Sequence, residues 1–173
     1  RMGIVDRDER WFRKCIEHGL ERLHSMQTAS GGLGYWPGDD QPNVYGTAYA
    51  MRAVVRAKQA GIDAPVGMSA GMTQYLNQQL RNTSVKPEVR AAIAQSLAEL
   101  GVLHPSRADA LFDLRSHTGV FGLSSLAIAL SHLEGEQQRV NALLDAVEAE
   151  FDENGELSPY DVSDFHYFGS PTR

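Results

Sequence analysis

One stretch constrains this chain more than any other: Gln27–Pro65, QTASGGLGYWPGDDQPNVYGTAYAMRAVVRAKQAGIDAP. It sets Gly31, Gly32 and Gly34 beside Tyr35 and Trp36, just after an amphipathic segment ends. Glycines so closely spaced point to a backbone that needs positive φ or close packing. The two rings are expected to be pinned between helical hairpins rather than left in water, since that is where large amphipathic side chains gain most. A helix is expected from about Thr47 to Ala60, stopped by Gly61. Its alanines at 48, 50, 53, 57 and 60 would let neighbouring helices approach closely.

The rest of the chain reads as helices too. Asp6 and Glu9 have the spacing of a capping box, and a helix is expected over Asp8–Gln27. Trp11, Phe12, Cys15, Ile16, Leu20, Leu23 and Met26 would form its buried face. Further helices are expected over Pro65–Arg81 (inner side Met68, Met72, Tyr75, Leu76, Leu80) and from Pro87 to Leu100 (Val89, Ile93, Leu97, Leu100). A shorter one begins at Pro105 with Ala108, Leu111 and Phe112. Val120–Leu133 is apolar enough to be the most buried helix. Glu136–Phe151 is an acidic amphipathic partner with Val140, Leu143, Leu144 and Val147 inward. No convincing period-two pattern precedes residue 151. Short links make consecutive helices antiparallel neighbours. The expected fold class is therefore all-α, about seven helices in hairpins, within a single domain spanning residues 1–173.

Composition narrows the function. A formal net charge of −6 with no Lys- or Arg-rich block argues against a nucleic-acid surface. An apolar fraction of 42% supports a real core, and no apolar run is long enough to span a bilayer. The lone cysteine, Cys15, excludes an internal disulfide. Near the end, Ser170-Pro171 reads as an N-cap and first-turn residue, a helix announced where the sequence stops. We therefore expect a fragment.

The motifs Leu23-x-x-Met26-Gln27, Gly31-Gly32-Leu33-Gly34-Tyr35-Trp36-Pro37, Thr47-Ala48-Tyr49-Ala50-Met51 and Ala57-Lys58-Gln59-Ala60-Gly61 resemble the thioester domain of alpha-2-macroglobulins, in particular the bacterial branch. There a glutamine and a GGFGxWP loop lead into a TAYAL helix ending in an A-x-x-x-G turn. Tyr167-Phe168-Gly169-Ser170-Pro171-Thr172-Arg173 is similar to a later loop of that domain. The resemblance is specific from about residue 20 to 66 and looser elsewhere. It implies an α/α toroid, here a partial ring, in a protein that traps proteases. It also implies a periplasmic or otherwise extracytoplasmic setting, with any membrane association through a parent-chain anchor. The partners implied are target proteases and neighbouring domains of the same parent chain.

The family's thioester needs Cys-x-Glu-Gln. Here Cys15-Ile16-Glu17-His18 puts an imidazole where an acyl-donating carboxamide is required, so Cys15 reads as a buried core cysteine. Asp161, Asp164 and His166 lie close in sequence but match no metal motif and read as a solvated loop. Gly122-Leu123-Ser124-Ser125-Leu126 lacks the last glycine of a nucleophile elbow. Asp39 and Asp40 read as turn residues, and His132 as an edge or hydrogen-bonded core residue. No catalytic, cofactor-binding or metal residue is assigned. A structural loop is assigned instead: Gln27, Gly31, Gly32, Gly34, Tyr35, Trp36, Thr47 and Tyr49. The expected function is a non-catalytic scaffold in a protease inhibitor. The alternatives are a prenyltransferase- or terpene-cyclase-like toroid enzyme and a helical-array binding module. The chain lacks the cyclase Asp-x-Asp-Asp acid, and aromatics make up only 8% of it, few for an aromatic-lined cavity.

Overall fold

A computed structural model of the chain describes residues 9–151 and 154–156. The expectations for Asp6, for Asp161, Asp164 and His166, and for the closing run 167–173 fall outside these residues. Among the described residues the chain is all-α, with seven α-helices, two short 3-10 turns and one isolated β-bridge. Two compact units emerge, Arg1–Asn82 and Thr83–Arg173, each with its own core.

In the first unit, α1 spans Glu9–His24, α2 Val44–Gln59 and α3 Met68–Arg81. α2 begins almost a turn before Thr47 because Asn43 is its N-cap: Asn43 is extended (φ −86, ψ 115) and its Oδ1 accepts from the Gly46 N–H. α3 begins after Gly67, later than Pro65 suggested. α1 and α2 run antiparallel. Arg13, near the start of α1, donates to the Gly61 carbonyl past the end of α2 at 3.1 Å. The other ends are joined through the loop between them. Met51 and Val54 of α2 and Met68, Met72, Leu76 and Leu80 of α3 are buried. Each such side chain stabilises the fold by about 1.5–3 kcal/mol through apolar burial.

α1 departs from expectation. Its apolar face is covered at one end only: Leu20 is buried, Leu23 and Met26 are half-buried, and Trp11, Phe12, Cys15 and Ile16 are exposed. Periodicity gives the face of a helix but not how much of it a neighbour covers. The Trp11 and Phe12 rings meet edge to face, with centroids 5.1 Å apart.

In the second unit, α4 (Pro87–Glu99) is followed by a 3-10 turn at Pro105–Arg107, α5 (Ala108–Phe112), a second turn at Asp113–His117, α6 (Val120–Ser131) and α7 (Gln137–Glu148). α6 is the central helix of this unit and packs on both α4 and α7. Leu126, Ala129 and Leu130 are buried, as are Ile93 and Leu97 of α4 and Val140 and Leu143 of α7. Leu144, expected inward, is exposed. His132 is also exposed, just past the last residue of α6. Two guanidinium groups lie over the Phe112 ring, Arg115 at 4.0 Å and Arg139 at 5.4 Å from its centre. Arg139 also bonds Glu136 and Asp109, tying α7 to α5.

Candidate functional site

The loop from Gln27 to Asn43 is held by a dense set of hydrogen bonds. Gln27 pairs with Leu33 in the isolated bridge, and the Gly34 N–H donates to the Met26 carbonyl at 2.9 Å. The Gln27 side chain then crosses to α3. Its Nε2 donates to the Gly31 carbonyl at 2.9 Å and to the Met68 carbonyl at 3.0 Å. Thr28 closes the turn, its N–H and its Oγ1 both donating to the Gly32 carbonyl, at 2.8 and 3.0 Å.

The glycines are placed by space as well as by φ. Gly31 has φ +90, and a Cβ there would stand 2.3 Å from the Gly71 carbonyl oxygen on α3. A Cβ on Gly32 would meet Pro42 at 2.7 Å and the Tyr75 ring at 2.8 Å. Leu33, by contrast, turns inward and is buried. Its N–H donates to Thr47 Oγ1 at 2.8 Å, and that hydroxyl donates to the Asn43 carbonyl at 2.7 Å. Thr47 is fully buried, so its hydroxyl is satisfied on both sides, as a buried polar group must be. Packing against the loop also buries Tyr75, and that desolvation raises its pKa above the ordinary 10.0.

Tyr35 and Trp36 do not pack between helices. They are 68% and 70% exposed, and Tyr49 on α2 is 65% exposed. Tyr75 and Pro42 lie against Gly32 and Leu33 is buried, while the two rings face outward. They are nonetheless held. Asn43 Nδ2 donates to the Tyr35 hydroxyl at 2.9 Å, the Tyr35 N–H donates to Asp39 Oδ2 at 3.2 Å, and the Asp39 N–H donates to the Trp36 carbonyl at 3.1 Å. Tyr49 stacks on Tyr45 one turn away, with centroids 6.5 Å apart.

The eight residues assigned from sequence therefore separate into two groups. Gln27, Gly31, Gly32, Gly34 and Thr47 lie inside the network; Tyr35, Trp36 and Tyr49 present rings to the outside. Asp39 lies in a turn, as its sequence context suggested; sequence reasoning missed Asn43 and Gly71. Asn43 was findable, because an Asn directly before an apolar helical run is an N-cap signal. Gly71 was not, because its role is visible only once α3 lies against the loop.

From Gln27 to Met51 there is no Cys, His, Lys or Arg, and the Thr28 and Thr47 hydroxyls bond backbone carbonyls rather than a base. Elsewhere, His104 Nδ1 meets Ser106 Oγ at 2.7 Å and Ser116 Oγ meets His117 Nδ1 at 2.8 Å. Both are exposed contacts between near neighbours in sequence, and the first also caps the Ser106 N–H. Among the described residues no group of three His, Cys, Asp or Glu is placed to hold a metal ion, and no helix is long and apolar enough to cross a membrane.

No family model and no curated protein matches the sequence. Solved structures do match its fold. Native alpha-2-macroglobulin from Escherichia coli, from domain MG7 to the C-terminus, aligns at TM-score 0.78 and 20% identity, over 90% of this chain and 27% of that one. A Salmonella alpha-2-macroglobulin mutant aligns at 0.79 and 20% identity, over 98% of this chain and 11% of that one. The Salmonella protein reacted with methylamine aligns at 0.78 and 21% identity, over 92% and 11%. The chain thus shares an all-α fold with part of the bacterial alpha-2-macroglobulins. It spans about a quarter or less of the structures it matches.

Proposed function

We propose that these residues form a single domain, the scaffold portion of a thioester-type α/α toroid in a bacterial alpha-2-macroglobulin-like endopeptidase inhibitor. The observation that carries this reading is the structural likeness to such proteins along nearly the whole chain. The relatives include Escherichia coli alpha-2-macroglobulin activated by trypsin and by porcine elastase, which makes serine proteases the first targets to test. In this role the Gln27–Asn43 loop is a clamp. It fixes the turn between α1 and α2 against the start of α3 and carries no chemistry. The domain would dock neighbouring domains of its parent chain and work outside the cytoplasm.

The enzyme alternative gains no support. A groove of about 370 Å³ beside α3 is lined by Gln74, Asn77, Gln78 and Arg81. Four polar side chains do not make the aromatic-lined cavity that a prenyl chain or a polyene needs.

The test is protease trapping by the full-length gene product that contains this chain. After incubation with trypsin, cleavage of a large protein substrate should fall while cleavage of a small chromogenic peptide persists. Equal cleavage of the large substrate with and without the protein would reject the inhibitor reading and leave the fold assignment in place.

A further inference from the structure

α6 carries no charged side chain along its 12 residues, VFGLSSLAIALS. A helix without a charged face is ordinarily covered on every side, yet α4 and α7 leave one side of this one open. The residues of α6 that are not buried are Phe121, Ser124, Ser125, Ile128 and Ser131. At about 100° per residue all five fall within one arc of about 120°. They form a single face rather than scattered gaps. Phe121 is 57% exposed and Ile128 39%. The polar groups on this face are three serine hydroxyls, with exposed His132 just past the end of the helix. The Ser131 Oγ donates to the Ile128 carbonyl at 2.8 Å. With no carboxylate, Lys or Arg on it, the face suits apolar rings.

The chain itself supplies them. At its two ends, residues 1–8 and 157–173 lie outside the described structure. The first of these belongs to the other unit. Residues 157–173 belong to the same unit as α6 and read LSPYDVSDFHYFGSPTR, with rings at Tyr160, Phe165, Tyr167 and Phe168. They also start from the right place. A short link joins α6 to α7 and the two pack together, so they run antiparallel. The C-terminal end of α7 then lies beside the start of α6, where Phe121 stands. Packed helix axes are about 8–10 Å apart, whereas the stretch from Glu148 to Tyr160 can span about 40 Å. Phe121 and Ile128 are only about 10 Å apart along the helix. A segment tethered in this way acts at an effective concentration that a second copy or another protein lacks.

We propose that the closing segment docks its rings, Tyr160 to Phe168, on the Phe121–Ile128 face of α6. The inference rests on α6 and on the chain that follows α7, and it stands apart from the protease-inhibitor reading.

The test is disulfide trapping in the full chain carrying Cys15→Ser. Ser125→Cys on the face is paired with His166→Cys in the segment. The control pairs Asn141→Cys, exposed on α7, with the same His166→Cys. Asn141 is nearer to the segment in sequence, so a segment that merely wanders meets it at least as often. Under mild oxidation the Ser125 pair should close an internal disulfide about tenfold faster than the control. Phe165→Ala together with Phe168→Ala should slow that closure to the control rate, with circular dichroism unchanged. The proposal is overturned by equal rates for the two pairs, by a Ser125 pair indifferent to loss of the rings, or by disulfides that form only between two chains.

Discussion

At the scale of single residues, Gly31 is the most demanding position of the clamp. Alanine there would set a methyl against the Gly71 carbonyl at φ +90. Gly31→Ala should therefore cost about 3 kcal/mol in urea unfolding. Gly38 supplies the control. It has a similar φ, +86, but open space around it, so Gly38→Ala should cost only about 1 kcal/mol. Equal losses would mean that φ alone, and not the approach of α3, requires Gly31. Tyr75 gives the chain a pH dependence. Burial raises its pKa, so the unfolded chain releases that proton first, from 10.0 upward. Its contribution to stability is complete below pH 10.0 and is lost as pH climbs through the higher folded value. In alkaline titration Tyr75→Phe should remove up to about 1.4 kcal/mol per pH unit of that fall.

At the scale of elements, α6 and α7 test where the second core lies. Leu126 is fully buried, whereas Leu144 is 48% exposed. Leu126→Ala should destabilise by about 2–5 kcal/mol and Leu144→Ala by less than about 1 kcal/mol. A reversal would place the core on the other face of α7. The two leucines also show what could be read from sequence. Periodicity located every long helix, and the inner face of α3, from Met68 to Leu80, is buried as expected. It did not say that α7 buries Leu143 and exposes its neighbour Leu144, or that α1 keeps its N-terminal stripe uncovered. Both depend on which part of each apolar face a neighbouring helix covers. The clamp was half legible. Its glycines and Gln27 stand out by composition, but the approach of Tyr75 and Pro42 to Gly32 and the exposure of Tyr35 and Trp36 are visible only in the folded chain. Exposure of Cys15 follows the same rule as the rest of α1. A cysteine on an apolar face is buried only where something covers that face.

At the scale of the whole molecule, the proposed scaffold role requires any acylating chemistry of a parent protein to lie outside the clamp, which has no Cys, His, Lys or Arg from Gln27 to Met51. Cys15 is the one thiol that could contradict this, with Glu17 and His18 close behind it. It is free and exposed, so a thiol reagent can reach it. The deciding measurement is thiol titration and intact mass of the chain before and after methylamine. The expected result is one titratable thiol at the start, the same thiol afterwards and no change in mass. A thiol that is blocked until methylamine frees it, with the mass of one amine added, would mean that this chain holds a thioester and is not a scaffold.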